Sequence, residues 1–215
     1  MLISVLLVDD HAVVRDGVRH LVEVQPGIRV VGSFGDGREA VAYAQANDID
    51  VAVIDVAMPG LNGIEVARQI HDACPSTHIL MLSMHSSPEH VYQAFEAGAQ
   101  GYLLKESAGN EVIDAVRAVH AGRRFLSRKI DGNTLELYIR ERRRKGSPLL
   151  QLSARERQVL QLIVEGRTSA EVGVVLNLSP KSVDTYRSRM MKKLEIGDMP
   201  GLVKFAIRHG LTTVD

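Results

Sequence analysis

The chain of 215 residues, 45% hydrophobic with few aromatics, has the composition of an ordinary globular protein and the length for one large domain or two small ones. A single cysteine, Cys74, excludes an intrachain disulfide, and the absence of any apolar run of membrane-span length or of signal-peptide flanks makes the cytoplasm the expected location. The net charge of zero hides a split: up to Leu126 there are 9 Lys+Arg against 16 Asp+Glu, and from Ser127 onward 17 against 10, which points to two domains, the second suited to a polyanion.

The front of the chain alternates two periods. Apolar runs at Ile3–Val8, Val30–Phe34, Val51–Ile54, Ile79–Leu82 and Tyr102–Leu104 read as buried parallel strands. Between them lie amphipathic stretches of helical period: Val13, Val14, Val18, Leu21 and Val22 on one face, then segments near Arg38–Ala46, Ile64–Ala73, Glu89–Ala97 and Glu111–Ala121. Five strands alternating with five helices predict a doubly wound α/β domain. Residues 127 to 150 break the pattern, with a helical connector, a basic run at Arg140–Lys145 and a flexible Gly146-Ser147-Pro148 break. Beyond it the period is helical only. Ser153 with Glu156 and Thr168 with Glu171 match capping boxes, and Ser179-Pro180 marks a third helix start. Four helices follow, roughly Ala154–Glu165, Ser169–Leu176, Pro180–Leu194 and Met199–Arg208, with a helix-turn-helix among them and Val203 and Ile207 expected to cover the bundle core.

Polar residues stand immediately after four of the five strands: Asp9 and Asp10, then Asp55, Ser83 and Lys105. Ligands of open parallel sheets bind outside the carboxyl ends of the strands, and a 2-1-3-4-5 order brings the first and third strands together there. Three carboxylates in one place need a cation, and an all-oxygen site suits Mg²⁺. The segments "LLVDDH", "DVAMPGLNG", "LSMH" and "GYLLK" resemble, in order and spacing, the receiver domain of two-component response regulators. The resemblance implies that Asp55 is the phosphoacceptor and that Asp9, Asp10, Asp55 and the backbone carbonyl of Ala57 hold Mg²⁺. It further implies that Ser83 and Lys105 contact the acyl phosphate and that Tyr102 is the switch aromatic. Met84 stands where many receivers carry a small residue, and Ala57 and His85 occupy positions that tune phosphoryl lifetime in that family.

Residues 150 to about 211 resemble the helix-turn-helix of LuxR/NarL-type regulators, through Leu152-Ser153, Arg155-Glu156-Arg157, Gly166, Glu171, Leu178-Ser179, Val183 and Lys193-Leu194. On the helix from Pro180, Val183, Met190 and Leu194 recur at core spacing, while Lys181, Asp184, Thr185, Ser188 and Lys192 share another face flanked by Arg187, Arg189 and Lys193. A recognition helix in the major groove uses short polar side chains on base edges and basic ones on phosphates. The resemblance puts Asp184, Thr185 and Ser188 at base-facing positions, and it implies that the last helix, with Val203 and Ile207, pairs two DNA-binding domains, core packing being the other reading of that helix. Asp184 replaces a commonly basic residue; its carboxylate suits cytosine N4 or an intrahelical partner among Lys181, Ser188 and Arg187.

The sequence therefore predicts a five-stranded, flavodoxin-like α/β receiver at 1–122, a helical and flexible linker at 123–149, and an all-α four-helix helix-turn-helix domain at 150–215. The expected function is a phosphorylation-controlled transcription regulator, not an enzyme, whose partners are double-stranded DNA, a histidine kinase and a second copy of the chain. A phosphorylation-independent DNA binder, with the receiver as a dimerisation module, is the competing reading. An Asp-based phosphohydrolase would need an acid two residues after Asp55, where Ala57 stands.

Overall fold

The computed structural model describes residues 2–145, 148–209 and 211–212; the Gly146-Ser147 break and the side chains of Arg142–Lys145 and Leu150 lie outside the described residues. The chain divides into two compact units, Met1–Tyr138 and Ile139–Asp215.

In the first unit β1 (Ile3–Val8), α1 (Ala12–Glu23), β2 (Ile28–Phe34), α2 (Gly37–Ala46), β3 (Val51–Asp55), α3 (Gly63–Ala73), β4 (His78–Ser83), α4 (Pro88–Glu96), β5 (Gly101–Leu104) and α5 (Ala108–His120) alternate without exception. The strands form one parallel sheet of order β2-β1-β3-β4-β5-β6. The sixth strand, β6 (Phe125–Leu126), corrects the expected count of five: it pairs Phe125 with Gly101 and Leu126 with Tyr102, and two residues carry no readable period. Helices cover both faces, so successive strand residues are apolar whichever way they point. Val5, Leu7, Val51, Val53, Leu80, Leu82 and Leu103 meet α1 and α5 through Val18, Val22, Val112 and Val116, while Leu6, Ile54, Ile79 and Met81 alternate to the side of α2 and α3. On α1 the expected apolar face narrows to Val18 and Val22, flanked by Val14 and Leu21; Val13 is exposed.

The division between units falls within α6 (Gly132–Lys145). The second unit packs α7 (Ala154–Val164), α8 (Ser169–Leu176), α9 (Pro180–Leu194) and α10 (Met199–Arg208) around Val159, Leu160, Leu162, Val172, Val183, Met190, Leu202 and Ala206. Both capping boxes form, Ser153 with Glu156 and Thr168 with Glu171, and Ser179 caps α9 by accepting from Ser182 N. The tight turn between α8 and α9 depends on two residues. Asn177 closes α8 in the left-handed region at φ 54°, and Gly173 lies so near the turn that a Cβ there would come within 2.6 Å of the Leu178 carbonyl oxygen. On α10 the core face is Leu202 and Ala206 with Phe205 beside them; Val203 and Ile207, expected to cover the core, are half-exposed one step round the helix.

Candidate functional site

The first site lies at the carboxyl ends of the strands. β1 runs out into Asp9 and Asp10, β3 ends on Asp55, β4 ends on Ser83, and Lys105 opens a 3-10 turn directly after β5. Because β1 and β3 are neighbours and β4 follows β3, these residues converge. Lys105 Nζ stands 2.9 Å from Asp9 Oδ2 and 2.9 Å from Asp55 Oδ2. Asp9 and Asp55 are both buried, Asp10 half-buried. One ligand atom from each of Asp9, Asp10, His11 and Asp55 lies within 4.8 Å of the others.

The electrostatics follow from burial. Desolvation drives the Asp55 carboxyl up from 3.8 to about 6; the Lys105 ammonium opposes this and the Asp9 charge adds to it. Burial alone would lower Lys105, but its pairing with Asp55 and Asp9 outweighs that and raises it. Among the described residues, the buried oxygens Asp9 Oδ2 and Asp55 Oδ2 are accompanied only by the Lys105 ammonium, and Asp10 Oδ1 by the His11 ring at 3.0 Å. Three hard oxygen donors with so few protein partners suit a small divalent cation such as Mg²⁺.

Supporting contacts fix the frame. Asp55 Oδ1 accepts from Ala57 N at 3.4 Å, and α3 begins so close behind that a Cβ on Gly63 would fall 1.8 Å from the Asp55 carbonyl oxygen. Ser83 Oγ accepts from His85 N at 3.0 Å, and the fully buried Tyr102 donates its phenol proton to His85 O at 2.7 Å, tying the segment after β4 to β5. Burial pushes the Tyr102 phenol upward. Met84 is 72% exposed beside this segment. Two participants carried no sequence signal of their own. The His11 amide and ring both face Asp9 Oδ1, at 2.8 and 3.4 Å, and Arg15 donates to the Asp9 backbone carbonyl from one turn into α1.

The second site is the outer face of α9. Lys181, Asp184, Thr185, Arg187, Ser188, Arg189, Lys192 and Lys193 are all exposed, while Val183 and Met190 are buried beneath them. Three of these residues depart from a simple row of free polar ends. Lys193 Nζ is 2.6 Å from Glu156 Oε2, which pairs its charge with the buried N3 carboxylate of α7. Thr185 Oγ1 donates to Lys181 O at 2.9 Å. Asp184 pairs with none of Lys181, Ser188 and Arg187; its Oδ1 accepts from Ser169 Oγ at 2.7 Å. Burial alone would raise Glu156, but hydrogen bonds from Lys193 and Ser153 hold it below its ordinary value.

Both parts of the chain have known relatives. Residues 5–117 match the response regulator receiver domain, and residues 150–206 match the bacterial regulatory proteins of the luxR family. The response regulator UvrY of Escherichia coli K12 is 40% identical over 214 residues, covering 100% of this chain and 98% of its own length. The transcriptional regulatory protein LiaR of Bacillus subtilis is 37% identical over 210 residues, covering 98% and 99%. A solved complex of the two-component response regulator RcsB with DNA, 25% identical, aligns with a TM-score of 0.56 over 95% of this chain and 98% of that one. With a receiver sheet in front and a LuxR-type helix-turn-helix behind, matched along their full length, the chain belongs to the two-component response regulators, the transcription regulators that join a receiver to a LuxR-type DNA-binding domain.

Proposed function

We propose that a partner histidine kinase transfers a phosphoryl group to Asp55 and that this modification controls the binding of α9 to specific duplex DNA. The observation that carries the proposal is the convergence of Asp9, Asp10 and Asp55 with the Lys105 ammonium at the strand ends. An Asp55 oxygen forms its bond to phosphorus as the phosphorus–nitrogen bond of the donor breaks, and negative charge spreads over the transferring oxygens. Lys105, fixed 2.9 Å from Asp55, meets that charge with no reorganisation. Asp9, Asp10, Asp55 and the Ala57 carbonyl would hold Mg²⁺, whose contribution when bound is to neutralise the same oxygens and offset the carboxylate crowding. Ser83 donates its hydroxyl proton to the new phosphoryl group. Because its Oγ also accepts the His85 amide, and Tyr102 holds the His85 carbonyl, that movement biases the segment leading to α4. The receiver thus assists its own phosphorylation and dephosphorylation without turning over a separate substrate.

On α9, Asp184, Thr185 and Ser188 face the base edges, and Lys181, Arg187, Arg189 and Lys192 bind phosphates. Lys193 is assigned to the fold through Glu156. The half-exposed Val203 and Ile207 of α10 offer an apolar strip for a second copy, giving a homodimer on two half-sites when phosphorylated. The test is acetyl phosphate with Mg²⁺, read by intact mass and by affinity for duplexes selected from a random pool. Wild type should gain one phosphoryl group and bind its selected site more tightly; Asp55→Asn should do neither. Equal modification of both proteins removes Asp55 from its role, and equal affinity with and without the donor favours the phosphorylation-independent binder.

A further inference from the structure

A carboxylate on the outer face of α9 is out of place in its surroundings. Lys181, Arg187, Arg189 and Lys192 are exposed around it, as a surface meeting phosphates requires, yet Asp184 is repelled by those same phosphates. Among the described residues none of these cations takes its charge: Lys181 and Arg187 stand three residues to either side on the same helix and form no ion pair with it. Its one partner is neutral and comes from another helix, Ser169 Oγ at 2.7 Å.

Ser169 is a well-fixed donor. It is the first residue of α8, directly after the N-cap Thr168, whose backbone amide and hydroxyl both donate to Glu171 Oε2 at 2.8 Å. The hydroxyl of Ser169 therefore reaches Asp184 from a closed capping box and saturates one side of Oδ1. Asp184 Oδ2 is left as an acceptor in a set orientation, with its rotamer already frozen before any ligand arrives. Next to it, Thr185 has turned its hydroxyl proton back to Lys181 O, so Thr185 donates no hydrogen bond outward.

We propose that Asp184, held by Ser169, makes this regulator select cytosine at one position of each half-site. The inference rests on reading α9 as the helix that enters the major groove. In that groove a carboxylate, which has no proton to donate, can be satisfied only by an amino group, and the amino groups available are cytosine N4 and adenine N6. Guanine presents O6 and N7, and thymine O4, all acceptors that repel it. Adenine sets the acceptor N7 beside N6, whereas cytosine presents N4 with no acceptor on its own groove edge. A carboxylate oriented by a neutral hydroxyl keeps its full charge for this discrimination; one neutralised by Arg187 would not. Ser169 touches no base in this account and is a positioning residue.

The experiment is selection from random duplexes by the full chain, with and without acetyl phosphate and Mg²⁺, for wild type, Asp184→Asn, Asp184→Ala and Ser169→Ala. Titrations of duplexes differing at one base pair follow. Wild type should prefer cytosine about 5- to 10-fold at one position, the size of a single good acceptor contact. Asp184→Asn should move that position to adenine, because an amide donates to N7 while accepting from N6, and should leave the flanking preferences in place. Ser169→Ala should flatten the cytosine preference to about twofold or less while the flanking preferences persist. A merely structural tie between α8 and α9 would instead weaken all sequences equally, and circular dichroism melting of each variant shows whether it has folded. An unchanged base preference in Asp184→Ala overturns the proposal, as does a Ser169→Ala profile identical to wild type or uniformly weakened. If wild type enriches no sequence under either condition, the reading of α9 itself fails, which is a different result from a selected site lacking cytosine.

Discussion

Replacing Asp55 by Asn should stabilise the receiver at neutral pH in the absence of divalent cations. The carboxyl of Asp55 is buried, and its desolvation lifts it from 3.8 to about 6. An acid raised on folding binds its proton more tightly in the folded state, so stability falls as pH climbs from about 4 to about 6, and the whole penalty is present above that. At about 1.4 kcal/mol for each pH unit of difference the ceiling is about 3 kcal/mol. The observed gain should be smaller, about 1–2 kcal/mol: the Lys105 pairing is already contained in that net value, but the carboxamide brings an extra buried N–H beside the Lys105 ammonium. The assay is native-state hydrogen exchange of the β3 amides, in EDTA, at a series of pH values, which reads this sheet without interference from the second unit. Wild type and Asp55→Asn should differ most above pH 6 and converge near pH 4. Adding Mg²⁺ should stabilise wild type more than the variant and narrow the gap. A variant no more stable than wild type at pH 7.5, or a gap that persists undiminished at pH 4, would refute the account of Asp55 as a desolvated acid.

Further outcomes follow from other contacts. Lys193→Gln should cost the second unit about 1–3 kcal/mol by taking the ammonium partner from the buried Glu156, which keeps its bond from Ser153 N, yet leave the slope of log affinity against log salt almost unchanged, whereas Lys192→Gln should reduce that slope by about one with little effect on melting. Glu156 is held below its ordinary value, so its contribution is complete above about pH 4.5 and drains away as pH falls further; calorimetry of wild type and Glu156→Gln should show the two converging in acid. Gly63→Ala, with its new methyl 1.8 Å from a backbone oxygen, should destabilise the receiver by more than about 3 kcal/mol in urea unfolding followed by circular dichroism, and the same change at the open Gly109 should not. Tyr102→Phe should speed exchange of the His85 amide and its neighbours by loosening the segment that the phenol holds, at a cost of about 1 kcal/mol.

What could be read in the sequence was whatever a single element declares about itself. The strand ends are legible because four of the five apolar runs stop on a polar residue, and the parallel-sheet rule then gathers Asp9, Asp10, Asp55, Ser83 and Lys105 without any pairwise information. The capping boxes are legible for the same reason, since both halves sit three residues apart. The two-residue β6 is too short to carry a period, and the inward face of α10 is not legible because Leu202, Val203, Ala206 and Ile207 are all apolar and only packing chooses between them.

The features that stay hidden in the sequence share one cause: they are contacts between elements whose separation along the chain has no rule. Lys193 and Glu156 are 37 residues apart, and Ser169 and Asp184 are 15 apart. By composition alone Lys193 is one more cation on a basic helix, and Asp184 is an acid suited to cytosine N4 or to a partner on its own helix. Helix packing gives each a partner on another helix, the Glu156 carboxylate of α7 for Lys193 and the neutral Ser169 hydroxyl of α8 for Asp184. The consequence for function is specific. On the proposed reading of α9, a charge count includes one cation, Lys193, that already meets a carboxylate within the fold, and it passes over Asp184, whose charge a hydroxyl orients without neutralising. Under the proposal, specificity on this helix depends on which side chain each polar group meets in the next helix as much as on which residues it carries.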